Sequence, residues 1–341
     1  MRQSDPPADR RATIVTLSRA ANVAPSTVSR ALKGDTRISP EMRARIALLA
    51  KEMNYTPHAS ARTLSSGRSG LIGVVLGPSQ NPFYTALLYE AVRQIGERGM
   101  RMLIIHAGAG PVEDKTADAL LQYQVDGCLI TSVELPSRVG VVCAANNVPV
   151  VMVNRVARLN SSAVTCDNVH GATQLADLLL RAGHRRIALV RTSTSSSTGQ
   201  EREQGFIRHL DQFGWSPVLR LDGQSTYDGG FAAGRQMMEM APQHRPDAVF
   251  AVSDIMALGV LDALRLGGVR VGQDMSVVGF DDIAEAARPA YDLTTIRQPL
   301  PTMIERALDL LQARMRDTAL PDETVALRGP LILRGSSVPV R

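Results

Sequence analysis

The 341 residues carry 38 Lys and Arg against 33 Asp and Glu, and their 44% hydrophobic and 21% charged content is that of a globular protein. The length exceeds one ordinary core and calls for two or three domains. No apolar run approaches the ~18 residues of a membrane span, and the opening MRQSDPPADRR has no apolar stretch of a secretory signal.

Charge is divided unevenly. Residues 1–68 hold 12 Lys and Arg against 5 Asp and Glu, whereas the remainder holds 26 against 28. All the basic excess therefore lies in the first fifth of the chain, the pattern of a nucleic-acid-binding head on a near-neutral body. Charge alone also allows a solvated basic tail. Cys128, Cys143 and Cys166 are widely separated and odd in number. They read as buried, reduced thiols of a cytoplasmic protein rather than a disulfide framework.

Residues 1–11 are polar and proline-containing, and a disordered tail is expected. A short helix over Val15–Ala21 follows, with Leu17, Ala20 and Ala21 as its apolar positions. Asn22 suits the left-handed conformation of a sharp turn, and Val23 can plug the space between two crossing helices. Pro25 suits a first helical position, so a second helix runs Pro25–Lys33 and stops at Gly34. It buries Val28, Ala31 and Leu32 and presents Ser26, Ser29 and Arg30. Hydroxyls and an arginine on one exposed face fit a DNA major groove. A third helix is signalled by Ser39 as cap, Pro40 at the first position and Glu41 in the first turn, with Ile46, Leu49, Ala50 and Met53 inward. Residues 12–56 thus read as a helix-turn-helix DNA-binding domain. A three-helix bundle for protein contacts would share the pattern, but not the charge.

Residues 57–69 form a connecting segment. Ala59–Leu64 could make barely two helical turns, too short to be stable alone. From Gly70 short apolar runs alternate with helix-length gaps: 71–76, 101–107, 127–132, 149–154, 186–191, 248–253 and 275–281. Apolar throughout, they read as buried parallel strands of doubly wound α/β structure. In such sheets ligands bind beyond the carboxyl ends of the strands. The candidates there are Ser79, Asn81 and Phe83, then Asn154 and Arg155, Arg191, Ser253 and Asp254, and Asp281, with Arg202 on the helix after a Ser/Thr-rich loop. This set of hydrogen-bonding groups with one aromatic suits a hydroxylated ligand. Asp254 and Asp282 could equally cap helices, and Phe83 could be plain core.

No GxSxG, HExxH, CxxC or P-loop pattern occurs. HAGAGPVED supplies two of the three glycines of a dinucleotide fingerprint, with Glu113 in place of the third. No catalytic residue, cofactor or metal site is therefore expected. The body alone would also allow a solute-binding receptor of a transport system, which would need an export signal and no basic head.

TIVTLSRAANVAPSTVSRALKGDTRISPEMRARI, NYTPHASARTL, SGRSGLIGVVL, NPF, VSDIMALG, SVVGFDD and LTTIRQP, in this order, resemble the LacI/GalR family of bacterial regulators over nearly the whole chain. The resemblance implies an all-α helix-turn-helix domain plus a two-lobed α/β effector domain like the periplasmic binding proteins. Lobe 1 would hold 70–166 and 299–328, and lobe 2 would hold 167–298 and 329–341. It implies that Pro25, Ser26 and Arg30 read bases, and that Thr27 and Ser29 meet phosphates. The hinge over 57–69 would become helical on the operator, placing Ala61 and Leu64 in the minor groove with Leu64 as a wedge. Effector contacts would come first from Arg202, Asp281, Ser253 and Asn154.

Four positions depart from the family pattern. Ala24 replaces the usual capping Ser or Thr, at about 1 kcal/mol of helix stability, and Asn22 replaces a turn glycine. Asn154 stands where aspartate is frequent, and Ser253 where asparagine is. Losing a carboxylate beside Arg155, Arg191 and Arg202 favours a sugar acid over a neutral hexose. The implied protein is a ligand-responsive repressor of carbohydrate or sugar-acid genes. It would bind double-stranded, palindromic operator DNA as a homodimer, because no leucine-heptad tail follows LILRGSS.

Overall fold

The computed structural model describes residues 12–55, 68–108, 114–131, 139–155, 161–192 and 196–338. The chain divides into two units at Ser69 and Gly70.

The first unit contains α1 (Ile14–Ala21), α2 (Pro25–Leu32) and α3 (Pro40–Glu52). Thr13 caps α1, its Oγ1 accepting from the Thr16 amide at 3.2 Å, while Thr16 Oγ1 accepts from the Thr13 amide at 2.8 Å. Asn22 ends α1 in the left-handed conformation, with φ 52°. Ala24 gives α2 no side-chain cap, so only Pro25 marks its start. Ser39 Oγ accepts from the Met42 amide at 3.3 Å and starts α3. Leu17, Val28 and Ile46 are wholly buried, and Ala21, Ala31, Ala50 and Tyr55 complete the core. Ala20 does not belong to it. The stripe of α1 runs through Leu17, Ser18 and Ala21, and Ala20 faces outward. Ser18 can be buried because its hydroxyl donates to the Val15 carbonyl at 2.9 Å.

The second unit is built on two parallel sheets. In chain order its first elements are β1 (Leu71–Leu76), α4 (Pro82–Glu97), β2 (Arg101–His106), α5 (Asp114–Gln122), β3 (Gly127–Thr131), α6 (Val139–Ala145), β4 (Val150–Val153) and β5 (Ser162–Cys166). There follow α7 (Asn168–Arg181), β6 (Ile187–Arg191), α8 (Ser197–Gln212), β7 (Leu219–Asp222), α9 (Tyr227–Glu239), β8 (Ala248–Ala251), α10 (Asp254–Leu266) and β9 (Ser276–Val278). The chain then runs through β10 (Thr295–Ile296), α11 (Leu300–Arg316), β11 (Thr324–Leu327) and β12 (Leu331–Ile332).

One sheet has the order β11-β5-β4-β3-β1-β2 and the other β7-β6-β8-β9, and β10 pairs antiparallel with β12. The chain passes between the sheets after β5, around β10 and between β11 and β12. Each sheet with its helices is called a lobe below, the six-stranded one being lobe 1.

Seven runs stood out as strands in the sequence, and each contains one. The sequence reading missed β5, β7, β10, β11 and β12, for two reasons. SAVTC and LRLD are short and mixed in polarity, and two-residue strands carry no period. The expectation that every run is buried fails at β2. It is the sheet edge, and none of its residues is fully buried: Met102, Leu103 and Ile105 are half-buried and Arg101, Ile104 and His106 exposed. As an edge strand it has a neighbouring strand on one side only, so Met102 packs on one core cluster and Leu103 and Ile105 on the other without being fully covered. The free cysteines Cys128, Cys143 and Cys166 are all buried. Burial pushes Cys143 and Cys166 up to about 11, which keeps both as thiols.

In lobe 2 α9 and α10 pack with almost no gap. A Cβ on Gly230 would lie 2.1 Å from the Met256 carbonyl oxygen, and one on Gly259 would lie 2.1 Å from that of Tyr227. Only glycine lets two backbones approach this closely.

Candidate functional sites: a DNA-reading helix and an inter-lobe cleft

On α2 the inward side holds Val28 and Ala31, so Pro25, Ser26 and Arg30 are left exposed and Thr27 and Ser29 half-exposed. The five residues expected to meet DNA therefore share the outer face and leading end of one helix. In the turn after α2, Arg37 donates through Nη2 to Asp35 at 2.7 Å and through Nε at 3.0 Å. This guanidinium holds the Asp35 carboxyl well below the usual carboxylate range, so Arg37 is partly committed within the protein. Ala61 and Leu64 lie outside the described residues, as do the tail at 1–11 and Glu113.

In the second unit a cleft of about 210 Å³ opens where the carboxyl ends of both sheets face each other. From lobe 1 come Ser79 and Asn81 after β1, Tyr84 on α4, and Asn154 and Arg155 after β4. From lobe 2 come Thr198 and Arg202 on α8, Ser253 after β8, and Asp281 after β9. Thr192, Gln224 and Ser225 add a polar rim, with Thr192 and Ser225 hydroxyls in contact. Gln224 and Ser225 hold φ of 52° and 58°, two successive left-handed residues that aim this loop at the cleft.

Arg202 organises the floor. It is 4% exposed, and its Nε donates to Asn168 Oδ1 at 2.8 Å. Its Nη1 donates to the Val252 carbonyl at 2.8 Å and to Asp281 Oδ1 at 3.0 Å. Its guanidinium carbon lies 3.9 Å from the centre of the Phe280 ring. Asn168 in turn donates to Glu201 Oε2 at 2.8 Å, and burial raises the Glu201 carboxyl above its ordinary value. The Nη2 of Arg202, the Oδ1 of Asn154 and the Oγ of Ser253 are buried without a protein partner. All three residues line the cleft, whose polar side chains are what a ligand rich in hydroxyls satisfies.

Seven of the ten residues picked from the sequence meet in this cleft: Ser79, Asn81, Asn154, Arg155, Arg202, Ser253 and Asp281. Three do not line it. Phe83 is 4% exposed and packs in the main core, edge-on to Tyr84. Helix α4 turns residue 83 inward and residue 84 to the cleft, so Tyr84 is the aromatic of the site. Arg191 ends β6 beside the cleft without lining it.

Asp254 lies wholly buried under the floor, its Oδ2 accepting from the Ile283 amide at 3.0 Å and its Oδ1 from Thr295 Oγ1 at 2.6 Å. Burial first, then the nearby Asp281 charge, pushes its carboxyl up to about 8. Asp282, the other carboxylate in question, caps nothing. It is clamped by Arg297 at 2.6 Å and Arg334 at 2.7 Å. Tyr84, Thr198, Gln224 and Ser225 were missed. Gln224 and Ser225 follow a strand the sequence did not reveal, and Tyr84 and Thr198 lie in the first turns of helices whose rotation against the sheets carries no local signal.

One further cluster has the outline of a nucleophilic triad. His184 Nε2 is 2.7 Å from Ser276 Oγ, and His184 Nδ1 is 3.5 Å from Asp247 Oδ1. Ser276 has no exposed surface, and its Oγ accepts from the Val338 amide at 2.8 Å. The cluster clips the C-terminal segment to β9 and gives no substrate a path. Among the described residues no group of His, Cys, Asp and Glu could hold a metal ion, and no helix is long and apolar enough to cross a membrane.

Residues 13–58 match the model for bacterial regulatory proteins of the lacI family, and residues 176–337 match that for a periplasmic binding protein-like domain. The HTH-type transcriptional regulator CelR of Thermobifida fusca is 32% identical over 339 residues, covering 96% of this chain and 98% of its own. The chain belongs to the lacI family. It is a ligand-responsive, DNA-binding transcriptional regulator, with the helix-turn-helix domain and the periplasmic-binding-protein-like α/β domain of that family. The ribose operon repressor of Escherichia coli K12 is 32% identical over 332 residues, covering 96% of this chain and all of that one.

Among solved structures, a lac repressor dimer bound to operator and the anti-inducer ONPF superposes with a TM-score of 0.87 at 25% identity. It covers 97% of this chain and all of its own. A complex of CelR with cellobiose gives 0.71 at 29% identity, covering 96% and 100%. These relatives are named as transcriptional regulators rather than as enzymes.

Proposed function

We propose that this lacI-family regulator is a homodimeric repressor whose inter-lobe cleft binds a monosaccharide-sized, polyhydroxylated effector. The observation that carries the reading is the set of unpartnered, buried polar atoms of Arg202, Asn154 and Ser253 around one small cleft. Its 210 Å³ falls below the ~300 Å³ at which drug-sized pockets begin. Among the described residues Tyr84 is its one aromatic lining residue, and these present no pair of faces to sandwich a planar base. Among the described residues its basic and acidic lining groups are Arg155, Arg202 and Asp281, two basic against one acidic. That surplus favours a sugar acid over a neutral sugar, although Arg191 takes no part.

The DNA reading rests on the outer face of α2. On this reading Arg30 grips a guanine bidentately, and Ser26 and Pro25 meet neighbouring base edges. Thr27 and Ser29 meet phosphates, and a hinge at 57–69 carries Ala61 and Leu64 into the minor groove. Two copies then read the two halves of a palindrome. An effector that prefers one arrangement of the lobes shifts the population that can engage both half-sites.

Calorimetry against D-ribose, D-glucose, D-gluconate and D-galacturonate tests the cleft. Binding by the acids is the expected result, and binding by the neutral sugars alone would overturn the charge argument. Selection of bound duplexes from a random pool tests the head. A palindromic consensus is expected, and salt-driven binding without a consensus would refute sequence reading.

A further inference from the structure

Asn81 joins the lobes. It precedes α4 in lobe 1, and its Oδ1 accepts from the Phe83 amide at 3.0 Å as the helix cap. Its own amide donates to Ser79 Oγ at 3.2 Å. The cap fixes which way the carboxamide is turned, so Nδ2 must point away from α4. It crosses the cleft and donates to Asp281 Oδ2 at 2.9 Å. Asp281 belongs to lobe 2 and is itself held there. Its Oδ1 accepts from Arg202 at 3.0 Å and from Gln298 Nε2 at 2.7 Å. Its amide donates to the Ile296 carbonyl at 2.9 Å, on a strand where the chain passes between lobes. Its φ of 139° is strained for a side chain other than glycine. Both ends of the Asn81–Asp281 contact are thus anchored within their own lobes. A contact between two such anchored groups has little freedom to move without moving the lobes.

We infer that Asn81 is a latch: through Asp281 it holds the two lobes closed without effector and sets how much of the protein is ready to bind one. A carboxylate offers about four acceptor positions, and three are taken here, two on Oδ1 and one on Oδ2. An effector hydroxyl can take the remaining position without breaking the latch. Apparent affinity then scales with the closed fraction, because a ligand that binds only the closed form is weakened by the fraction that is open. Arg155 Nη1 donating to Thr198 Oγ1 at 3.2 Å is a second, weaker tie across the same cleft. The latch takes the effector cleft as read above, but its own test needs no effector.

The test is the distance across the cleft in the full-length, effector-free protein. Spin labels go on Thr85→Cys in α4 and Asp228→Cys in α9, both exposed, while the native cysteines stay buried. Excess unlabelled protein keeps labels to one protomer of a pair. Two variants separate latch from cap. Asn81→Ser keeps a capping oxygen but loses the donor, and Asn81→Asp keeps the cap but sets a carboxylate against Asp281.

The latched protein should give one short distance. Asn81→Ser should add a longer population, and Asn81→Asp a larger one. A hydrogen bond to a charged group implies a closed-to-open ratio lowered roughly ten- to a hundredfold. Unchanged distributions in both variants, or a predominantly long distance in the parent protein, would overturn the latch. Failure of every sugar to bind would overturn the effector reading instead.

Discussion

Replacing Arg202 by Met should be the most damaging single change in the cleft, and its cost can be worked from the contacts. Arg202 and Asp281 are 4% and 2% exposed at their side chains and 3.0 Å apart. Methionine fills much of the volume and keeps contact with the Phe280 ring, but leaves the Asp281 carboxylate buried with two carboxamides as partners. Breaking a buried pair on one side costs about 3–5 kcal/mol, because an uncompensated charge remains. The Val252 carbonyl and Asn168 Oδ1 also lose their donor.

Against a total stability of about 5–15 kcal/mol this is a large share. It should lower the melting temperature by roughly 6–20 °C for a domain of this size. The assay is urea unfolding followed by the fluorescence of Trp215, the single tryptophan, which sits in lobe 2 and reports the effector domain alone. Asp281→Asn should also destabilise, and the double variant should lose less than the sum of the two singles by about 0.5–3 kcal/mol. If Arg202→Met unfolds within 1 kcal/mol of the parent, or if the two changes simply add, the pair does not hold the cleft floor together.

Other consequences are open to the same kind of measurement. Ala24→Ser should add about 1 kcal/mol to the head by giving α2 its missing cap, read as a higher melting point of residues 1–69 within the full chain. Arg30→Ala should cost about 1–3 kcal/mol at the selected operator and relax the preference at one base position, seen in a repeat of the duplex selection. A uniform loss at every sequence would instead mark Arg30 as a phosphate contact. Gly259→Ala drives a methyl group into the Tyr227 carbonyl. It should destabilise the effector domain by at least 1–3 kcal/mol in urea; a neutral result would mean the α9–α10 contact is looser than it stands.

Asp254 gives a pH prediction. Its carboxyl is raised above the unfolded value of 3.8 to about 8, so the folded state holds the proton more tightly. The associated stability is present below the unfolded value and is lost as pH rises through about 8. Asp254→Asn should therefore flatten the fall in melting temperature between about pH 5 and pH 9 relative to the parent, and an identical slope would remove Asp254 from the account.

The sequence by itself determined the head almost completely. Its signals are local: Pro25 and Pro40 at helix starts, Ser39 as a cap, Asn22 in the left-handed turn, and apolar positions at helical spacing. A short helix settles most of its geometry within its own length, and the exposed face of α2 follows once Val28 and Ala31 are buried. Ala20 escaped this logic because two neighbouring helices, not the period, chose the stripe. In the body the long β-branched runs announced parallel α/β structure, and the rule that ligands sit past strand ends found six cleft residues, Arg202 on the helix after the Ser/Thr-rich loop being the seventh.

Tertiary structure decided the rest. Whether Phe83 or Tyr84 faces the cleft depends on how α4 is rotated against its sheet, and adjacent residues on a helix point about 100° apart. Whether Asp254 binds ligand or holds the Ile283 amide beneath the floor depends on a loop almost thirty residues further on. Above all, the contact of Asn81 with Asp281 spans 200 positions of sequence. Nothing local could foretell it, because it exists only where two lobes, each folded on its own sheet, are brought face to face by the three passages of the chain between them.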